Sequence, residues 1–261
     1  MSSTLMIIWD YDSAVGQLNA SYPYKFREET ILQEIQNVDR ILELGNTFDI
    51  QMTFACVGFA AEPGHFPYHI GDQIAKIYAA GHEIASHSWR HEWFPFLERE
   101  QVRRSLQRSK ESLEKCLGKP GAVNGFVPPF SRPMSWYRKG ALSLGDRVWG
   151  PRFPGANWGS LLNFVNEAGY RWCRVTHKPI WKKLRRPLPT AELSFTPWIQ
   201  AKNVICEPEH YCGFDDPALA LTKRTIDEDE TVVIVGHPLG LSRNKSENIN
   251  YLLSFMRCVA D

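Results

Sequence analysis

The sequence lacks an excess of charge of either sign. Its 30 basic residues stand against 29 acidic ones, for a net charge of +1. Such a balance offers no chain-wide attraction to nucleic acid or to an anionic membrane. Long apolar runs are also missing: none approaches the roughly 18 residues a spanning helix needs. The first apolar run, Leu5 to Trp9, stops at Asp10, and no basic stretch precedes it, so no export signal is read. Together these absences set the expectation of a soluble, cytoplasmic protein with no membrane span and no nucleic-acid partner. Internal repeats and low-complexity tracts are absent, and nothing bears on oligomeric state.

The six cysteines, Cys56, Cys116, Cys173, Cys206, Cys212 and Cys258, form no CxxC knuckle. In a chain of 261 residues without a secretory signature they read as reduced thiols, not as a disulfide framework. Cys206, His210 and Cys212 are zinc-capable types but lack a fourth ligand.

What is present is an alternation of strands and helices. Leu5–Trp9, Met52–Val57, His82–Ser86, Val123–Val127, Tyr170–Val175 and Thr231–Gly236 read as strands. Between them, Ile31, Ile35, Val38 and Leu42 mark a helix stopped near Gly45. Ile74, Ile77 and Tyr78 mark a second, and Val102, Leu106, Leu113 and Leu117 a third, closed by Gly118 and Pro120. A further helix covers Ser160–Ala168, and one covers about residues 244–259. Such alternation implies a parallel α/β arrangement, here one domain over residues 1–261 with its core at about 5–240. Ser131–Trp158 and Thr176–Glu230 break the rhythm and read as long loops of the kind that shape a substrate site. Lys182–Arg186 is a basic cluster in the second loop, read as a solvated segment.

Chemistry-bearing residues gather at strand ends. Asp10 and Asp12 close the first strand, His87 follows the third with His91 four residues on, and His237 follows the last. In a parallel barrel all strand C-termini point to one face. A helical turn after His87 would set His91 beside it. Two imidazoles and a carboxylate leave a coordination position for water on a divalent metal and make that water acidic. If the backbone is extended at Asp10–Asp12, one carboxylate can bind metal while the other takes the proton. His237 at the same rim fits a general acid for a leaving group.

These residues resemble the polysaccharide deacetylases of the NodB-homology type, carbohydrate esterase family 4. The resemblance rests on Ile8-Trp9-Asp10-Tyr11-Asp12, on Met52–Gly58, on Gly81-His82-Glu83-Ile84-Ala85-Ser86-His87-Ser88-Trp89-Arg90-His91, on Phe126–Phe130, on Asn166–Tyr170 and on Val233–His237. It implies a distorted (β/α)7 barrel and metal-dependent removal of an acetyl group from an N-acetylated sugar. Carried over, Asp12, His87 and His91 bind the metal, most often zinc, with cobalt, nickel or iron also compatible. Asp10 becomes the base, His237 the acid, and the backbone N–H of Phe130 an oxyanion donor.

Three positions depart from the family pattern. Tyr11 separates two aspartates that are usually adjacent. Val127 replaces an arginine that normally holds the catalytic aspartate, with Arg132 the nearest substitute and Arg138 another. The aspartate that orients the last histidine has no obvious counterpart; Asp146, Asp215 and Asp216 are the candidates. Among nine tryptophans, Trp89, Trp93, Trp149 and Trp158 lie where a ring could stack on a sugar. The expected substrate is a small-molecule or oligosaccharide N-acetyl compound. A non-sugar amide, as in allantoinase-like relatives, and a catalytically silent sugar-binding protein are the competing readings.

Overall fold

In β1 (Thr4–Tyr11) alternate residues face opposite ways. Ile7, Trp9 and Tyr11 enter the main apolar cluster that packs sheet against helices. Ile8 joins a separate small cluster with Ala55, Ala85, Val127, Trp172, Val233 and Val235, one or two from each neighbouring strand. Two apolar sets on one strand mean a sheet buried on both faces, as parallel sheets are. The computed structural model describes residues 3–20, 27–92, 94, 97–129, 158–175, 199–201, 203–242 and 247–260. Phe130, Arg132, Arg138, Asp146, Trp93, Trp149 and the Lys182–Arg186 cluster lie outside them, as does the side chain of Trp158.

The strands are β1, β2 (Thr53–Cys56), β3 (Glu83–Ser86), β4 (Gly125–Phe126), β5 (Trp172–Val175), β6 (Ile199–Ala201), β7 (Val204–Pro208), β8 (Tyr211–Cys212) and β9 (Thr231–Gly236). Their order is β6-β7-β5-β4-β3-β2-β1-β9-β8. All pairings are parallel except β6 with β7. The sheet curls strongly. β5 stands four strands from β1, about 19 Å away in a flat sheet, yet Arg174 of β5 lies 2.6 Å from Asp10 of β1. The fold is therefore a curled parallel half-barrel wrapped by helices, a distorted (β/α)7 barrel.

Among the described residues the α-helices are α1 (Ser13–Ala20), α2 (Glu28–Phe48), α3 (Gly71–Ala79), α4 (Arg99–Leu117), α5 (Trp158–Glu167), α6 (Asp216–Asp227) and α7 (Ile249–Ala260). α4 opens on a reciprocal capping box between Glu98 and Gln101 and closes on Gly118 in the left-handed region. α2 does not stop near Gly45 but runs to Phe48, and Asp49 forms its left-handed cap. Gly45 serves packing instead: a Cβ there would come within 2.9 Å of both His82 and Met52. The stretch read as a loop after Thr176 contains α6 and the short strands β6, β7 and β8. All six cysteines are free, with Cys56, Cys173 and Cys206 buried. No helix among the described residues is long and apolar enough to cross a membrane.

Candidate metal centre

Because Ile8 faces the barrel interior, Asp10 two residues on faces it as well. Its two oxygens accept hydrogen bonds from the two terminal nitrogens of Arg174, each at 2.6 Å. The fork geometry is the bidentate pairing that suits guanidinium to carboxylate. Burial pushes the Asp10 carboxyl up, but Arg174 with His87 and His237 outweighs it, and the pKa ends below the ordinary value. The residue that holds Asp10 is thus Arg174, which sequence reasoning missed. Its signal was a charged residue inside the strand Trp172-Cys173-Arg174-Val175, two positions after the inward-facing Trp172.

Val127, where the family's arginine was expected, is buried in the inner cluster. Its carbonyl faces His87 Nδ1 at 2.8 Å. A proton on Nδ1 donated to that carbonyl leaves the Nε2 lone pair free for a metal, the usual way a histidine ligand is oriented. His87 Nε2 lies 3.4 Å from Asp12 Oδ1, and His91 Nε2 lies 3.2 Å from the same oxygen. Three ligand atoms so close, on two nearly buried imidazoles and a carboxylate, fit a divalent metal and form one of two such groups among the described residues. Burial raises the Asp12 pKa, but His91 and His87 overcome it and hold the carboxyl well below its usual range.

His91 does not reach His87 through a helical turn. Residues 87–92 form a bend in which Ser88 and His91 take positive φ, 63° and 57°. This left-handed backbone is unfavourable for residues with a Cβ and persists only where neighbours enforce it. Here Glu92 Oε2 accepts from Ser88 Oγ (2.7 Å), Arg90 N (2.9 Å) and Ser105 Oγ (3.1 Å). Asn19 of α1 donates to the Arg90 carbonyl at 2.6 Å. Gly16 of α1 packs directly under Asp12, where a Cβ would meet the Asp12 Cβ at 2.7 Å.

His237 follows β9 and turns Nε2 toward Asp10 Oδ2, 3.9 Å away. Its Nδ1 lies 3.2 Å from Glu247 Oε1, a carboxylate in the turn before α7. Cys212 Sγ donates to the same oxygen at 3.2 Å. Burial lowers the His237 pKa, while Cys212, Glu247, Asp10 and Asp12 raise it, and the net position is well above the ordinary histidine value. Glu247, not Asp215, therefore partners this histidine. Asp215 is the N-cap residue of α6, and its side chain pairs with Tyr211.

Trp89 does not face the metal ligands. Its indole N–H donates to Glu62 (2.9 Å), and the guanidinium carbons of Arg90 and Arg108 lie 4.0 and 3.7 Å from its ring centroid. It lines a cleft of about 1080 Å³ along α4, which includes none of Asp12, His87 or His91. Two further acids stand near the site: Glu209, 4.0 Å from Arg174 Nε, and the buried Glu34 of α2. Burial first, then the Asp12 charge, push the Glu34 pKa well above the carboxylate range.

Residues 30–149 match the family model described as polysaccharide deacetylase. That segment, less than half of the chain, is similar to the polysaccharide deacetylases. The deacetylase match carries His87 and His91 but leaves Asp10, Asp12, Arg174 and His237 outside it, and the fold alone brings these to the same rim. A structure from Mycobacterium smegmatis assigned to the polysaccharide deacetylases is similar over 100% of this chain and 85% of its own, with TM-score 0.66 and 18% identity. Puue allantoinase is similar over 98% of this chain and 83% of its own, with TM-score 0.62 and 16% identity. A family 4 carbohydrate esterase from Streptomyces lividans, solved with acetate, is similar over 99% and 86%, with TM-score 0.50 and 12% identity. At these identities the likeness is one of fold. No curated protein matches the chain by sequence.

Proposed function

We propose that this chain is a metal-dependent hydrolase that removes the acetyl group from an N-acetylated sugar or glycan precursor. The observation that carries the reading is one rim bearing three things: the Asp12–His87–His91 ligand set, an arginine-held carboxylate and a histidine favoured in its charged form. The family of residues 30–149 and the acetate-bound carbohydrate esterase of similar fold support the substrate class.

A divalent metal held by Asp12, His87 and His91, zinc first among the candidates, would supply a Lewis acid for the substrate carbonyl and acidify the attacking water. Asp10 would accept that water's proton. Its lowered pKa keeps it ionised at neutral pH, and Arg174 fixes both of its oxygens. His237 would protonate the departing amine, because its raised pKa keeps it an imidazolium at the same pH. Phe130 remains the proposed backbone donor to the developing oxyanion.

The test is acetate release from a panel of N-acetyl sugars by zinc-loaded protein and by Asp10→Asn. Turnover by the wild type should fall about 100- to 10,000-fold in the variant, with metal still held by the Asp12 set. Ring opening of cyclic amides without acetate release from any sugar would establish the non-sugar amidase suggested by the allantoinase fold. Sugar binding without turnover on any amide or ester would establish a silent binding protein.

A further inference from the structure

We infer that Cys212, His237 and Glu247 form a second metal site, thiolate-bearing and built onto the candidate proton donor itself. The three residues come from β8, the end of β9 and the turn before α7. Their ligand atoms all lie within 4.8 Å of one another. Glu247 Oε1 sits 3.2 Å from Cys212 Sγ and 3.2 Å from His237 Nδ1. With metal–ligand bonds of about 2.0–2.3 Å, the edges of a zinc tetrahedron measure about 3.3–3.7 Å. The two edges that meet at Glu247 therefore need shifts of only a few tenths of an ångström to close on an ion, as do the two that meet at Asp12, and the edge between Cys212 and His237 lies within 4.8 Å.

The setting is built rather than incidental. Glu247 is 2% exposed, and β8 aligns Cys212 beside Val235, two residues before His237. One sulfur, one nitrogen and one oxygen ligand suit zinc or cobalt better than magnesium or calcium. Three protein ligands leave a fourth position for water. Binding would displace the thiol proton and the Nδ1 proton to solvent, so both ligands enter in their metal-binding forms.

The location gives the site a consequence that rests on the reading of His237 as proton donor. An ion on Nδ1 replaces the proton there and removes the imidazolium, while Nε2 still faces Asp10. Zinc beyond the first equivalent would then inhibit the enzyme that the first equivalent activates.

The experiment is a cobalt titration of metal-free full-length protein, followed by absorbance. The wild type is expected to take up two equivalents, with a near-ultraviolet thiolate-to-cobalt band from Cys212. Cys212→Ala and His237→Ala should lose the band and one equivalent. Asp12→Ala should lose the other equivalent and keep the band. Cys56, Cys173 and Cys206 are fully buried and cannot supply it without unfolding, which circular dichroism would report. Uptake of a single equivalent without the band by folded wild type, or a band that survives His237→Ala, would overturn the inference. The two readings fail separately. A band with no binding at the Asp12 set removes the proposed catalytic metal but not this site. Activity that only rises with excess zinc, with the band present, removes the inhibitory role assigned to His237.

Discussion

The two sides of the candidate rim are held by different forces. On the β1–β3 side, the candidate metal-ligating set of Asp12, His87 and His91 sits on short connections fixed by backbone geometry. Asp12 is pinned against Gly16, and the His87–His91 bend is locked by Glu92, Ser105 and Asn19. On the β5–β9 side, charged groups hold one another across the barrel: Arg174 grips Asp10, and Glu247 grips His237. The packing of Gly16 under Asp12 is indifferent to pH, whereas a network of ionised pairs is not. One candidate rim thus joins a tightly held ligand cluster to a side whose charge state depends on its partners.

The sharpest way to break this comparison is Arg174→Met. It leaves the Asp10 carboxylate buried without its guanidinium, and a broken buried pair costs about 3–5 kcal/mol. Urea unfolding should show that loss, and Asp10→Asn combined with Arg174→Met should recover part of it. Gly16→Ala attacks the other side. Its new methyl would displace Asp12, so metal affinity at that set should fall about 10- to 100-fold by calorimetry, with overall stability much less affected.

Glu247→Gln tests the electrostatic side through pH. The carboxylate raises the His237 pKa, so its removal lowers it. The acid form is the one required, and activity falls as pH rises through that pKa. The alkaline limb of the rate profile should therefore move to lower pH, by about one unit or more. Activity that keeps the wild-type limb would show that Glu247 does not tune His237. The smallest effect is expected of Ser105→Ala, which removes bonds to Glu92 and to the Trp89 N–H and should cost about 1 kcal/mol.

The packing-held side was legible in the sequence because its parts are local. Asp10, Asp12, His87 and His91 fall at the ends of strongly apolar strands, and those strands appear where periodicity puts them. The helical turn expected between the histidines was not found, since nothing in Ser88-Trp89-Arg90 announces two left-handed residues. The charge-held side was hardly legible. Arg174 meets Asp10 across 164 residues, a pairing set by sheet curl. Glu247 lies outside any apolar pattern. α6 escaped notice because it buries Ala218, Thr222 and Thr225 beside a single Leu221, too little apolar contrast to signal a helix.

The Arg174–Asp10 pair also has a bearing on how the chain comes to be folded. As the polypeptide leaves the ribosome, β1 emerges long before β5. Until Arg174 follows, Asp10 has no guanidinium to offset its desolvation, and the end of β1 is better left in water. The first strand pairs with β2 nearby in the sequence, whereas the end of β1 gains its guanidinium only through a contact of long sequence separation. A chain halted before residue 174 lacks the guanidinium that offsets the burial of Asp10.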